Sequence, residues 1–125
     1  MWTALLAHIK SGRLAVKDVR VIEVKKSVFE SNDERAALLR KDLKDKGVFL
    51  LNLMSSPGAG KTTTLTRTIE QLKDYLWIVV MEADIDSDVD AITIAETGAK
   101  AIQLHTGGMC HLDADMTRQG IDELD

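Results

Sequence analysis

The chain has 125 residues, of which 45% are hydrophobic and 29% charged, with a formal net charge of −4 at pH 7. This length bounds it to one domain, and the acidic balance argues against non-specific nucleic-acid binding, which needs a basic surface. No apolar run approaches the ~20 residues of a membrane span, and residues 1–10 lack the cationic start of a secretory signal. The single cysteine, Cys110, cannot form an internal disulfide, so we expect a cytoplasmic protein.

The first 47 residues carry no recognisable chemistry. Residues 1–18 predict a weak amphipathic helix, and the β-branched residues 19–24 predict a short strand or extended arm. Ser31 followed three residues later by Glu34 is a capping box, which predicts the start of a helix. Gly47 is a natural end for that helix.

A phosphate-binding motif follows directly. Residues 48–53 are a continuous apolar run, which predicts a strand buried on both faces, and Gly60, Lys61 and Thr62 then lead into a helical pattern. Strand, glycine-containing loop, Gly-Lys-Thr and helix is the order of a P-loop. Ser55 stands where the general pattern G-x-x-x-x-G-K-S/T has its first glycine. The alternative is a serine- and glycine-rich turn that precedes a lysine by chance.

The P-loop interpretation assigns a role to each part of the motif. Backbone amides of the loop and of the helix N-terminus point at a phosphate, where the helix dipole adds positive potential. Lys61 is predicted to reach the β- and γ-phosphates, and the Thr62 hydroxyl to bind Mg²⁺. We expect the nucleotide to contact the following residues: Ser56, Pro57, Gly58, Ala59, Gly60, Lys61, Thr62 and Thr63.

An acidic run follows the second predicted strand. Leucine and isoleucine spacing over residues 65–76 predicts a helix, and residues 77–81 predict a buried strand. Acids from Glu82 to Asp90 then lie where ligands gather in open α/β sheets, beyond the strand's carboxyl end. Asp84, or less favourably Asp86, is therefore a candidate for binding Mg²⁺ or orienting the attacking water. Alternatively, the run only caps the next helix, which ends at Gly98.

The last predicted strand leads into a possible metal site. Residues 101–105 predict a strand, and Cys110 and His111 follow it in a glycine-containing loop. A thiolate and an imidazole suit Zn²⁺ or Ni²⁺, and a two-fold dimer would supply a second pair of ligands. A lone Cys-His pair is weak support, because buried free cysteines are common. His105 is a candidate extra ligand, although a histidine at a strand end is more often structural or solvated.

Three stretches together resemble one family, the GTPases of NiFe-hydrogenase maturation known as the HypB family. These are V-F-L-L-N-L-M-S-S-P-G-A-G-K-T-T, E-A-D-I-D-S-D-V-D-A and T-G-G-M-C-H-L-D-A. The family commonly has serine at the position of Ser55. The resemblance covers about residues 19–125. It matches Lys61 and Thr62 to the nucleotide and Mg²⁺ positions, Asp84 to an acidic switch residue, and Cys110 and His111 to a metal pair at a dimer interface.

The resemblance implies a P-loop NTPase-like α/β fold with three layers and a mainly parallel sheet, whose C-terminal part is missing here. It implies binding and hydrolysis of GTP with Mg²⁺, a homodimer carrying Ni²⁺ or Zn²⁺, and nickel delivery to the hydrogenase large subunit together with other maturation proteins. We expect an atypical extension at 1–18, an arm and helix at 19–47, and a partial GTPase domain at 48–125. No guanine-reading motif is present in the sequence.

Two alternatives remain open. A P-loop kinase acting on a small molecule would prefer ATP and would not need Cys110 or His111. A metal-binding or dimerisation module without turnover would bind one ion per two chains and release no phosphate. Loss of metal binding on mutation of Cys110 separates the kinase from the other two readings.

Overall fold

The computed structural model describes residues 2–9, 19–24, 31–56, 58–83, 89–107 and 112–124. Within them, five strands form one sheet, with helices between and after them. The strands are β1 (Trp2–Ile9), β2 (Val19–Glu23), β3 (Phe49–Met54), β4 (Leu76–Ala83) and β5 (Lys100–His105). The helices are α1 (Asn32–Asp45), α2 (Lys61–Leu72), α3 (Val89–Glu96) and α4 (Ala114–Asp122). None of the helices in these ranges is long and apolar enough to cross a membrane.

The sheet is mainly parallel, as predicted. Its strand order is β2-β5-β4-β1-β3, with β2 parallel to β5 and β5 parallel to β4. Strand β1 runs antiparallel to both of its neighbours, so β3 and β4 point the same way. The crossover from β3 through α2 to β4 therefore spans the width of one inserted strand. The α/β class and the strands at 19–24, 77–81 and 101–105 are confirmed.

The prediction of a helix within residues 1–18 is wrong for the part that the structure describes. Residues 2–9 form β1, between β3 and β4. Leu5 and Leu6 are buried in different clusters on the two faces of the sheet, which is the environment of an interior strand. Pairing along both edges outweighs the weak local helical pattern, because each edge satisfies backbone groups that a helix would satisfy internally.

Helices cover the sheet on both faces and give three layers. Side chains from α1 and α4 pack with Met81, Ile102 and Leu104 in one core. Side chains from α2 and α3 pack with Val80 and Ala101 in the other. Adjacent residues of β4 and β5 thus point to opposite cores, and every residue of β4 except Glu82 is apolar. These strands hold the helices in fixed positions relative to one another.

Strand β3 departs from the predicted burial on both faces. It pairs only with β1 and forms an edge of the sheet within the described residues. Phe49 is 64% exposed, Leu51 43% and Met54 62%. The apolar run correctly predicted a strand, but an apolar sequence does not determine whether neighbouring elements cover it. Its carboxyl end leads into the phosphate motif.

Helix α4 lies very close to the sheet at one glycine. A Cβ atom built on Gly120 would lie 2.8 Å from Met81 Sδ and 3.3 Å from Leu104 Cδ2. Both of these side chains are fully buried. Gly120 weakens the helical pattern of the sequence, and the structure gives the reason for it: only hydrogen fits between the helix and the sheet.

Candidate functional site

The loop between β3 and α2 has the backbone conformation that its glycines allow. Gly58 has φ of 78° and Gly60 has φ of 91°, both in the left-handed region that L side chains rarely adopt. No atom lies within 4 Å of a Cβ built on either residue, so conformation rather than crowding requires glycine there. Gly60 is also the N-cap of α2. The loop therefore turns the chain from the edge strand directly into the helix.

The N-terminus of α2 lacks the side-chain cap that α1 and α4 have. Ser31 accepts a hydrogen bond from Glu34 N at α1, as the capping box predicts, and Asp113 accepts one from Met116 N at α4. At α2 the N-cap is Gly60, which offers no side-chain acceptor, and the first turn contains no acidic residue. Its first amide groups have no intrahelical acceptors and the helix dipole is uncompensated, so this end attracts an anion.

Lys61 brings a positive charge to the same point. Its side chain is only 7% exposed, although it is the first residue of α2. Its Nζ atom is buried and has no hydrogen-bond partner among the described residues. A buried ammonium is stable only when paired, so the arrangement fits a group that carries negative charge into the loop. These residues fit the phosphates of a nucleotide.

A cavity of about 440 Å³ runs along α2 from the phosphate motif toward α3. It begins at Thr62 and Thr63, the predicted Mg²⁺ and nucleotide positions. Sequence reasoning did not select the remaining lining residues, which are Thr66, Arg67, Glu70 and Thr93. For Thr66 and Glu70 the sequence did contain a signal: they lie four and eight residues after Thr62, which places all three on one side of α2.

The loop residues and the hydroxyls of α2 are held by local hydrogen bonds. Ala59 N donates to Ser56 O at 3.2 Å, which closes the turn inside the motif. Thr64 Oγ1 donates to Gly60 O at 2.9 Å, and Thr66 Oγ1 donates to Thr62 O at 2.8 Å. These bonds occupy backbone carbonyl oxygens and leave the amides at the helix start directed toward the loop. Of the predicted nucleotide-binding residues, Thr62 and Thr63 line the cavity, and the described loop residues directly precede them in the chain.

Several predicted site residues lie outside the described residues. These are Pro57, Asp84, Asp86, Cys110 and His111. Glu82, the first acid of the predicted run, is instead inside β4 and 2% exposed. The strand therefore continues past its predicted end at residue 81. The predicted roles of Asp84 and of the Cys-His pair remain predictions.

Metal binding finds no further support in the described part of the chain. It contains no group of three or more His, Cys, Asp or Glu side chains placed to hold an ion. His105 ends β5 with its side chain exposed, and its backbone oxygen accepts a bond of 3.0 Å from Val24 N. Its ligand role also remains a prediction.

Comparison with protein families gives a match to the nucleotide-binding domain described as CobW/HypB/UreG, over residues 49–125. The match starts at β3 and includes the whole phosphate motif. No solved structure matches the chain at a comparable level of significance.

Curated relatives extend the match toward the N-terminus. A hydrogenase maturation factor HypB of Rhizobium leguminosarum bv. viciae is 50% identical over 105 residues, which is 84% of this chain and 35% of the relative. That of Escherichia coli strain K12 is 44% identical over 97 residues, 78% of this chain and 33% of the relative. A hydrogenase/urease maturation factor HypB of Helicobacter pylori is 38% identical over 111 residues, 89% of this chain and 44% of the relative.

The chain thus spans between a third and a half of the length of these relatives. The family model covers more than half of the chain, and it includes the loop, the uncapped helix and the buried lysine described above. On this basis the chain belongs to the CobW/HypB/UreG family of nucleotide-binding domains, and within it to the HypB family.

Proposed function

We propose that the chain binds GTP with Mg²⁺ through residues 56–63 and forms the nucleotide-binding part of a GTP-hydrolysing hydrogenase maturation factor. The single observation that carries this proposal is the buried, unpartnered Lys61 Nζ at the uncapped start of α2. A phosphate in the loop would satisfy the ammonium and the first amides of the helix together. Guanine as the base rests on the resemblance to the HypB family, because no described residue reads a base.

The catalytic contribution of the chain is positioning and charge neutralisation. Lys61 would hold the β- and γ-phosphates and offset negative charge that develops during transfer to water. The Thr62 hydroxyl would hold Mg²⁺, which supplies further charge neutralisation, and Asp84 is proposed to contact the ion or orient the attacking water. The helix itself fixes the direction of the first amides of α2, because its first backbone bond runs from Thr64 N to Gly60 O at 3.0 Å.

Nickel delivery is the proposed purpose of this hydrolysis. The relatives are named hydrogenase maturation factors, and one of them hydrogenase/urease maturation factor. Cys110 and His111 from two chains of a homodimer would hold Ni²⁺, or Zn²⁺ in its place, as cargo for the hydrogenase large subunit. This setting is the cytoplasm, where the single cysteine stays reduced. GTP binding, dimerisation and metal geometry would then be linked equilibria.

Calorimetric titration of the chain with GTP, and separately with ATP, in the presence of Mg²⁺ tests the nucleotide site. We expect one nucleotide per chain, with weak discrimination between the bases, and an affinity that falls by about 100-fold in Lys61→Ala. The matched control is Lys41→Ala, which removes an exposed lysine of α1. Absence of binding to the parent chain would overturn the proposal, as would equal affinity in the Lys61→Ala variant.

A second titration, with Ni²⁺, tests the metal part independently of the nucleotide. We expect one ion per two chains, with a Cys110→Ser variant losing the ion and the parent chain shifting toward a dimer on size exclusion. Binding of Ni²⁺ that does not depend on Cys110 would contradict the proposed metal pair. If the nucleotide titration shows strong preference for ATP over GTP, and the second titration shows no Ni²⁺ binding at Cys110, the two results together favour a small-molecule kinase.

A further inference from the structure

A second polar side chain in the phosphate motif is buried without a partner. Ser55 directly follows β3, and its Oγ atom is buried with no hydrogen bond to any described residue. Lys61 Nζ, at the other end of the same loop, is in the same condition. Unpaired buried polar atoms are rare in folded proteins and cost free energy, so two of them at the ends of one short loop need a common explanation.

The hydrogen-bond capacities of the two groups are complementary. An ammonium group has three donors and no acceptor, whereas a hydroxyl can accept and donate at the same time. Phosphates bound in the loop would take up some of the three donors of Lys61, and any remaining donor would need an acceptor from the protein. In the described residues, Ser55 Oγ is the only buried hydroxyl of this loop that lacks a partner. A glycine, which the general motif has at this position, would offer no side-chain acceptor.

We propose that Ser55 is a positioning residue, whose hydroxyl accepts a hydrogen bond from Lys61 Nζ when phosphates occupy the loop. This inference rests on the proposed nucleotide site. The bond fixes the direction of the ammonium group, so that its other donors face the β- and γ-phosphates. Ser55 acts on the nucleotide through Lys61, and the effect of removing its hydroxyl must therefore depend on whether the lysine is present.

A double-mutant cycle tests this dependence. The dissociation constant of a fluorescent GTP analogue with Mg²⁺ is measured for the parent chain, for Ser55→Ala, for Lys61→Ala and for the double variant. We expect the dissociation constant to be about tenfold higher in Ser55→Ala, because one charge-assisted hydrogen bond is lost. In the Lys61→Ala background we expect Ser55→Ala to change the dissociation constant less than twofold.

Two further variants separate positioning from a structural role. Ser55→Thr keeps a hydroxyl and is expected to recover most of the affinity. Thr68→Ala removes a hydroxyl of α2 that already has a partner, Thr64 O at 2.8 Å, and is expected to leave the dissociation constant unchanged. In the nucleotide-bound chain, the ammonium protons of Lys61 should exchange with water slowly by NMR, and markedly faster in Ser55→Ala, which a structural role of Ser55 would not predict.

The outcomes distinguish this inference from the proposed function. If Ser55→Ala leaves binding unchanged, or weakens it equally with and without Lys61, the positioning role is wrong, while weaker binding in Lys61→Ala still supports the nucleotide site. If the parent chain does not bind the analogue, the nucleotide site itself is wrong and the role of Ser55 with it.

Discussion

The layer formed by α1 and α4 and the loop between β3 and α2 differ in how fully their polar groups are paired. In the first, both helices carry side-chain caps, Arg35 Nη1 lies 2.6 Å from Asp115 Oδ1, and Arg118 pairs with Asp42. In the second, the helix has no side-chain cap, and the polar atoms of Ser55 and Lys61 are buried without partners.

The strands next to these two regions differ in how deeply their side chains are buried. Leu104 of β5 is fully buried, whereas leucine and phenylalanine side chains of the edge strand β3 are exposed. Packing and pairing in one region provide stability that the other region lacks. Under the proposed function, the unpaired groups at the loop are those that bind a phosphate. We therefore expect substitutions in the two regions to separate stability from binding.

The largest expected effect comes from the same truncation in two strands. Leu104→Ala removes a fully buried side chain between α4 and the sheet and should lower the free energy of unfolding by about 3 kcal/mol. Leu51→Ala, on β3, removes a side chain that is 43% exposed and should cost less than about 1 kcal/mol. Urea unfolding followed by circular dichroism measures both values. Equal losses would mean that β3 is covered in solution.

The next effect tests the close approach of α4. Gly120→Ala should destabilise the chain by about 1–2 kcal/mol, because the new methyl group meets Met81 Sδ at 2.8 Å, although alanine favours helix by about 1 kcal/mol. Thermal and urea unfolding provide the measurement. In a Met81→Ala background the same substitution should become neutral or stabilising. A loss that persists there would show that Met81 is not the obstacle.

Lys61→Met should change the stability of the chain in the opposite direction. It keeps the length of the side chain and removes the unpartnered buried charge, so we expect the nucleotide-free chain to become more stable by about 1 kcal/mol. Affinity for Mg²⁺-GTP should fall by about 100-fold in the same variant. Lys41→Met on the exposed side of α1 is the control and should change neither quantity. Destabilisation by Lys61→Met would show that the ammonium has a partner in the free chain.

The smallest effect is electrostatic and depends on pH. A hydrogen bond from Arg118 lowers the pKa of Asp42 below 3.8, with the charges of Lys46 and Arg118 adding to this and burial opposing it. A lowered pKa in the folded state adds stability above the ordinary carboxyl pKa and loses it as pH falls through the lowered value. Asp42→Asn should thus cost a small amount of stability at pH 7, and this difference should shrink in acid.

Urea midpoints of the parent and Asp42→Asn chains, measured from pH 7 downward, give this difference directly. A gap that stays constant with pH would mean that Asp42 contributes through its shape and hydrogen bonds and not through its charge.

Local sequence was enough to recognise the phosphate motif and to predict much of the fold. The phosphate motif needs glycines at fixed offsets and a lysine at the start of a helix, and these residues lie within a few positions of one another in the sequence. Ser31 predicted the start of α1, residues 77–81 predicted a buried strand, and residues 101–105 predicted a further strand, because capping and strand formation depend on short patterns. The HypB family could be identified from the same short stretches.

Tertiary structure decided the features that depend on distant partners. Residues 2–9 became a strand because β3 and β4 offer two pairing edges, which no local pattern announces. The exposure of β3 and the need for glycine at residue 120 were likewise set by what lies next to them. Ser55 was visible in the sequence only as a departure from the general motif. Its proposed role rests on the burial of its Oγ atom without a hydrogen-bond partner. Burial depends on the fold and not on a residue's neighbours in the sequence.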